Sequence, residues 1–597
     1  MGANRVSAGA FSFIPAYVSK RQSNSSYIPV NAAVSVAHNH FLFGLSVTNH
    51  SSTRRLSDPL FLYWLVAGLT GVWIVWDALI FELVTYSPHA DYWEHTAVLT
   101  EWLRGIADPP NPHVLDSSSS PRYMPLFLVL TFAGQIFGLD AVDLMGISAV
   151  LSYALIVIGI RLFFRDYFND DKAPLIAFIV LFCGWGVSWV WSNLYQLRSF
   201  LYVAGYPSSF VFGMSMIAFS LTLRVLREQV KLYAGAFCLM LLSALMFLIH
   251  PLTGVFGISG CGLLALVAWQ DSYRNRAVIM AALFIGATVI AELWPWFSVW
   301  EVTLGRGGTD ETSWMHGEGE SGVLDRIRSG VWRHIFYDPL FVTVIIGFGL
   351  PSVVAWLWLL CRRSKRSPQD FIVLGGLVML LPYFAHIFVS VPLAHRFLLF
   401  AIFYFHMAGV WALLHWLNAV KKERENGGIA AIFAGVFVTG WLAAAVIFNV
   451  AQAGLEFGGK SLYLRTMQFV NKFERFPDGG NTVDLYRSLT TGVGPYDVVM
   501  ATDSSGWPLP TVTGKVVSLY HENPLLLDQF ERKAAVELFY SEGATAEQRK
   551  DILARYSVSY VLVRDQEWVP GLSEWLGAVA SETGRRGEYR MFKLQTR

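Results

Sequence analysis

Eleven stretches of about 20 mostly apolar residues run through this sequence, each long enough to cross the hydrocarbon core of a bilayer as a helix. They fall near 60–82, 142–163, 174–191, 207–225, 232–249, 252–269, 277–298, 340–360, 371–391, 397–417 and 429–449. In lipid every backbone polar group must find its partner inside the protein, so such a stretch crosses as a helix. The expected fold class is therefore an α-helical polytopic membrane protein of about eleven transmembrane helices. A small C-terminal α/β domain follows outside the membrane.

Composition supports this. Only 15% of the 597 residues are charged and 54% are hydrophobic, whereas a soluble domain carries about 25% charged residues. The 22 Trp and 43 Phe suit wide membrane interfaces. A net charge of +1 offers no attraction to phosphate backbones, so no nucleic-acid partner is expected. The four cysteines (Cys183, Cys238, Cys261, Cys361) lie in or beside apolar segments without metal-ligand spacing and read as packing residues.

A further apolar stretch, Tyr123–Gly138, would reverse the orientation of everything after it if it spanned. Basic residues decide against that. Without it, short cytosolic loops hold Arg161, Arg165, Lys172, Arg224, Arg227, Lys231, Arg274, Arg276, Arg362, Arg363, Lys365, Arg366, Lys421, Lys422 and Arg424, while short outer loops hold only Arg198 and Arg396. Positive charge collects on the cytosolic side. Tyr123–Gly138 is thus expected as a helix lying at the outer surface. The N-terminus is expected in the cytoplasm and the C-terminal domain outside.

Three domains follow. Residues 1–58 read as a flexible cytosolic leader, since Val30–Val47 is interrupted by Asn31, His38, Asn39 and His40 and makes a poor signal or span. Residues 59–449 form the membrane domain, with long outer loops near 83–141 and 300–339. The second loop is rich in glycine and could act as a lid or a spacer. In 450–597, strands are expected at Val498–Thr502, Val516–Tyr520, Tyr560–Val563 and Arg590–Leu594. Thr545 and Gln548 fit a capping box opening the helix Ala546–Tyr556. No glycine-rich nucleotide loop and no hydrolase elbow is present.

Ionisable groups gather on the outer face. The first outer loop begins Pro88-His89-Ala90-Asp91-Tyr92-Trp93-Glu94-His95, and a helix starting at Asp91 puts Asp91, Glu94 and His95 on one face. A plain helix cap is the competing role for Asp91. His89, Asp91, Glu94 and His95 could also ligate a divalent metal, but their spacing matches no standard motif, and no cofactor is expected. His395 and Arg396 open one span at its outer end, His250 sits between two spans, Arg198 lies in an outer hairpin, and Glu292 lies just below the outer end of its span. Intramembrane and interfacial charges usually face a cavity or a partner. A guanidinium there can snorkel or bind an anion such as phosphate.

In their order these features resemble the GT-C superfamily of membrane glycosyltransferases, which includes the protein O-mannosyltransferases and the lipid A aminoarabinose transferases. The resemblance rests on Asp91 after the first span and on Arg122-Tyr123-Met124-Pro125-Leu126-Phe127 leading to Phe137-Gly138-Leu139-Asp140. It also rests on His395-Arg396-Phe397-Leu398 and on the helix running into Tyr560-Val561-Leu562-Val563. Many relatives carry paired acidic residues or an acidic-x-x-Arg-Tyr run after the first span; here the run is Asp91-Tyr92-Trp93-Glu94-His95, with no arginine.

The resemblance implies a polyprenyl-phosphate-linked sugar donor in the outer leaflet and a glycan, lipid or protein acceptor. It implies inverting transfer in cell-envelope glycan or glycoconjugate synthesis at a prokaryotic plasma membrane. Asp91 would be the general base, with Glu94 or His95 sharing the role. Arg396, with His395 and Arg198, would bind the donor phosphate, and His89, His250 and Glu292 would line the substrate cavity. Two other functions remain open: a transporter or flippase of lipid-linked sugars, and a noncatalytic assembly or receptor protein acting through its C-terminal domain.

Overall fold

The computed structural model describes residues 58–80, 91–185, 195–267, 273–304, 347–362, 367, 369–385, 394–425, 429–455, 481–521 and 523–595. The expected leader, His89 and the body of the second outer loop lie outside the described residues.

Helix α1 (Pro59–Val75) opens on Asp58, whose carboxylate accepts from the Leu60 N–H, and it has proline in its first turn. A π-helical turn, Trp76–Ile80, prolongs it. The first outer loop then holds α2 (Tyr92–Arg104) and α3 (Pro125–Phe137). The membrane domain continues through α4 (Ala141–Phe168), α5 (Ala173–Cys183), the short α6 (Leu197–Val203), α7 (Pro207–Leu226), α8 (Leu232–Ile249), α9 (Pro251–Val267) and α10 (Tyr273–Ile285). A π-helical turn and a 3-10 turn carry α10 on to Leu293. After α11 (Val299–Leu304) come α12 (Leu350–Cys361), α13 (Asp370–Ala385), α14 (Ala394–Glu425) and α15 (Ile429–Ala453).

Apolar helices thus occupy all eleven expected segments. By length and composition, seven could cross a bilayer as described. The other four, α5, α9, α12 and α13, are shorter, and each runs close to residues outside the description. The helix α3 has only 13 residues, about 20 Å against a core of about 30 Å, so it is too short to span. It buries Leu126, Phe127 and Leu130 and leaves Val129, Phe132, Ile136 and Phe137 exposed. That is the pattern of a helix lying along an apolar surface.

Close packing between α4 and α7 depends on glycine. A Cβ on Gly159 would stand 2.9 Å from the Gly213 carbonyl oxygen, and one on Gly213 would stand 2.8 Å from the Ile156 nitrogen. Without a driving force from water, small residues let helices approach closely enough to gain contact. A buried polar knot fixes α6. The Gln196 amide donates to Asn449 at 2.7 Å, and the Asn449 amide donates to the carbonyls of Cys183 and Trp185.

The C-terminal domain follows α16 (Thr482–Leu489). Its five-stranded sheet comprises β1 (Val498–Met500), β2 (Lys515–Val516), β3 (Val558–Arg564), β4 (Ala580–Arg586) and β5 (Tyr589–Leu594), in the order β2-β1-β3-β5-β4. The strand β1 is parallel to β2 and β3, while β5 is antiparallel to β3 and β4. Alternation along β3 divides the core. Val561 and Val563 face one apolar layer with Phe539, Ile552 and Leu576, while Tyr560 and Leu562 face another with Tyr486, Leu489 and Met591. The expected capping box is present, with Thr545 and Gln548 bonding each other's backbone N–H at 2.9 and 3.2 Å. The strand expected over Val516–Tyr520 is shorter than that, because the chain leaves the sheet after Val516.

The first outer loop belongs to this domain as much as to the membrane. Val114 enters the second core layer, and it pairs with Val516 at the free edge of β2, where the Val516 N–H donates to the His113 carbonyl at 2.8 Å. The Thr96 and Thr511 hydroxyls share a 2.7 Å hydrogen bond, and Thr100 donates to the Thr511 carbonyl. Lys515 is fully buried and spends its protons on Glu101 (2.8 Å) and on the carbonyls of Asn111 and Pro112.

Candidate active site

The helix α2 starts just after Asp91, yet the Asp91 carboxylate makes no capping hydrogen bond. It turns instead toward the C-terminal domain, where His521 Nε2 lies 3.5 Å from its Oδ1. A quarter of the Asp91 side chain remains exposed. Burial opposes its ionisation, but the nearby His521, Arg396, His95 and Arg122 outweigh that and hold its carboxyl below the usual aspartate range. The group is therefore an anion at neutral pH, ringed by cationic and imidazole side chains.

Glu94, one turn later, is fully engaged. Its Oε1 accepts from the Trp507 indole at 3.0 Å, and its Oε2 lies 3.0 Å from His113 Nε2 and 3.5 Å from Arg122. Burial would raise its pKa, yet His113 and Arg122 bring it far below the carboxylate range. With 1% exposure, this carboxylate works as a tie between the outer loop and the C-terminal domain. His95 is packed edge-on against Phe127 and Tyr206, each with ring centroids 5.3 Å away. Burial lowers its pKa to about 3, against the opposing pull of Asp91, so it is neutral at physiological pH.

Two residues from distant helices lie within electrostatic reach of Asp91. Arg396, half-buried near the start of α14, and His250, between α8 and α9, both act electrostatically on each other and on Asp91. The His250 ring is oriented by Thr253, whose hydroxyl lies 2.9 Å from Nδ1. Burial and then Arg396 lower the His250 pKa to about 4. His395 precedes Arg396 on α14. Arg198 lies on α6, whose start is held by the Gln196–Asn449 knot, and is half-buried.

Glu292 has a different set of partners. Its carboxylate accepts from the Ser298 hydroxyl and from the N–H groups of Val299 and Trp300, so it staples the turn that opens α11. The expectation that it lines a cavity finds no support in those bonds. Among the described residues, no three His, Cys, Asp or Glu side chains gather as metal ligands would.

Sequence reasoning missed His113, Trp507, Lys515 and His521. Each lies in a segment with no motif of its own, and only the fold brings it to α2. Arg122 was legible as part of a motif, though not as a partner of Asp91 and Glu94.

No protein-family model matches the chain, and no curated protein matches it. Solved structures do. ArnT from Cupriavidus metallidurans in the apo state aligns with a TM-score of 0.50 at 12% identity, covering 90% of this chain and 98% of that one. The same protein bound to undecaprenyl phosphate aligns at 0.43 and 10% identity, covering 91% and 98%. The Archaeoglobus fulgidus oligosaccharyltransferase in the apo form aligns at 0.44 and 13% identity, covering 89% and 74%. The alignment with apo ArnT takes in the membrane helices and the C-terminal domain alike. This chain is a polytopic membrane protein whose fold is similar to that of apo ArnT.

Proposed function

We propose that this protein is a membrane glycosyltransferase that moves a sugar from a polyprenyl-phosphate-linked donor to an acceptor, with inversion at the anomeric carbon. The observation that carries this reading is the Asp91 carboxylate. It is partly open to solvent, makes no capping hydrogen bond, faces His521 of the C-terminal domain at 3.5 Å, and is held below the usual aspartate range by His521 and by Arg396 of the membrane helices. The GT-C fold, which fits such chemistry, adds support, and so does the undecaprenyl phosphate bound by ArnT. The excess of basic residues in the short loops of the other face favours an extracytoplasmic site.

In this mechanism Asp91 accepts the proton of an acceptor hydroxyl or amine. The freed electron pair bonds to the anomeric carbon from the side opposite the phosphate. The bond from that carbon to the phosphate oxygen breaks, and the phosphate leaves with its electrons. Arg396 stabilises the departing charge, as a preorganised cation does best in a site of low dielectric. His395 and Arg198 are placed by the same reading to help hold the phosphate. Glu94 and His95 position rather than react, since one is fully paired and the other buried and neutral.

Purified protein in detergent, incubated with a panel of radiolabelled polyprenyl-phosphate sugars, tests the proposal. Wild type should release sugar from at least one donor, and Asp91→Asn should not. Normal release by a correctly folded Asp91→Asn would remove Asp91 from the mechanism. In proteoliposomes, movement of labelled lipid between leaflets without sugar release would instead indicate a flippase.

A further inference from the structure

The C-terminal domain presents an aromatic corner beside Asp91 that the mechanism above does not use. The rings of Trp507 and Tyr520 are stacked with centroids 3.8 Å apart and planes 11° from parallel. His521 stands edge-on to both, at 5.2 and 4.9 Å. Trp507 is pinned from below by its hydrogen bond to Glu94, which His113 and Arg122 pin in turn. Tyr520 is covered on one face by the indole and is still 45% exposed. A large aromatic side chain held rigid and left open is a surface prepared for something flat and partly apolar.

We propose that Trp507, Tyr520 and His521 form the acceptor subsite, and that the acceptor unit seated there is a pyranose ring lying on Tyr520. This rests on the transferase reading and names its acceptor as a carbohydrate. A pyranose has one face of C–H groups and a rim of hydroxyls. The stacked pair supplies the flat apolar surface, already immobilised, so little entropy is lost on binding. His521 supplies a ring nitrogen beside that surface, and the same imidazole reaches Asp91 at 3.5 Å. One hydroxyl of a ring on Tyr520 is thereby directed along His521 toward the carboxylate that takes its proton. An extended peptide would more naturally add to a sheet edge. The sheet edge that lies against α2, at β2, is already occupied by the first outer loop through the Val114–Val516 pair.

Saturation-transfer NMR on full-length protein in detergent, with a panel of methyl pyranosides, tests this separately from catalysis. Wild type and Asp91→Asn should both transfer saturation to the ring C–H protons of at least one pyranoside. Tyr520→Ala should bind that pyranoside about fivefold more weakly, the loss of one aromatic contact, and Tyr520→Phe should bind near wild type. Thermal unfolding of the Tyr520 variants, unchanged for so exposed a residue, shows that they are folded. Binding by Tyr520→Ala as tight as by wild type, no binding of any pyranoside by wild type, or binding of short peptides in their place would overturn the proposal. Because none of these signals requires turnover, their loss is distinct from failure of the donor assay, which alone reports on the transferase reading.

Discussion

Lys515 and Glu101 form a buried ion pair at 2.8 Å that joins the C-terminal domain to the first outer loop, with neither side chain more than 2% exposed. Burial drives the lysine pKa down, and Glu101 opposes that shift. Removing Lys515 leaves Glu101 with Arg104 at 3.0 Å but takes away its closest cation and the donor to the buried Asn111 and Pro112 carbonyls. We expect Lys515→Met to cost about 3–5 kcal/mol. Thermal unfolding in detergent should show a clear drop, and the double variant Lys515→Met/Glu101→Gln should recover much of it. A Lys515→Met protein as stable as wild type would mean that the pair is not formed.

Asp91 and Glu94 should separate by phenotype. Asp91→Asn is expected to lower the rate of sugar transfer by about 10²–10⁴-fold, with stability and donor affinity little changed. Glu94→Gln, by contrast, should lower the unfolding temperature, because Trp507, His113 and Arg122 all lean on that carboxylate. Equal losses of rate at equal stability would assign both residues to the chemistry.

The pH dependence of stability has a defined sign. The folded pKa of Glu94 lies far below the ordinary 4.5. Its stabilising effect is therefore complete above pH 4.5 and falls as pH drops below that value toward the folded pKa. His95 has a folded pKa of about 3 against an ordinary 6.5, so acid also favours the unfolded chain by protonating it there. The difference in unfolding temperature between wild type and Glu94→Gln should be constant near neutrality and shrink steadily below pH 4.5. A difference that widened in acid would contradict the ion-pair account.

Arg396 and Arg122 already place positive charge at Asp91. Transfer is therefore expected to survive EDTA at close to the untreated rate, while Arg396→Ala should lose most of it. Activity abolished by EDTA and restored by a divalent ion would return Asp91, with His89 from outside the described residues, to the role of metal ligands.

Much of the membrane domain could be read directly, because a run of about 20 apolar residues has few other uses. The short surface helix Pro125–Phe137 followed from charge counting and is present. The strand Ala580–Arg586 escaped notice because it is nearly all polar and lies at the sheet's edge, without the alternation that marks a half-buried strand. The site was half legible. Asp91, Arg396 and His250 stood out as charges where a membrane protein seldom places them. His521 and Trp507 did not, since a histidine and a tryptophan in a soluble loop carry no signal until the fold sets them against a helix some 400 residues earlier, as the 413-residue separation of Trp507 from Glu94 shows.

That separation has a consequence for how the protein is made. The hydrogen bond between Thr96 and Thr511 joins residues 415 positions apart, with eleven apolar helices between them among the described residues. During synthesis Glu94 can meet His113 and Arg122 within its own loop, whereas Trp507, Thr511 and His521 reach that loop only after every later helix has been made. The surroundings of Asp91 are completed only when His521 arrives with the C-terminal domain. A chain lacking the final domain would keep Arg396, His95 and Arg122 around Asp91 but lose His521 and the stacked Trp507–Tyr520 pair.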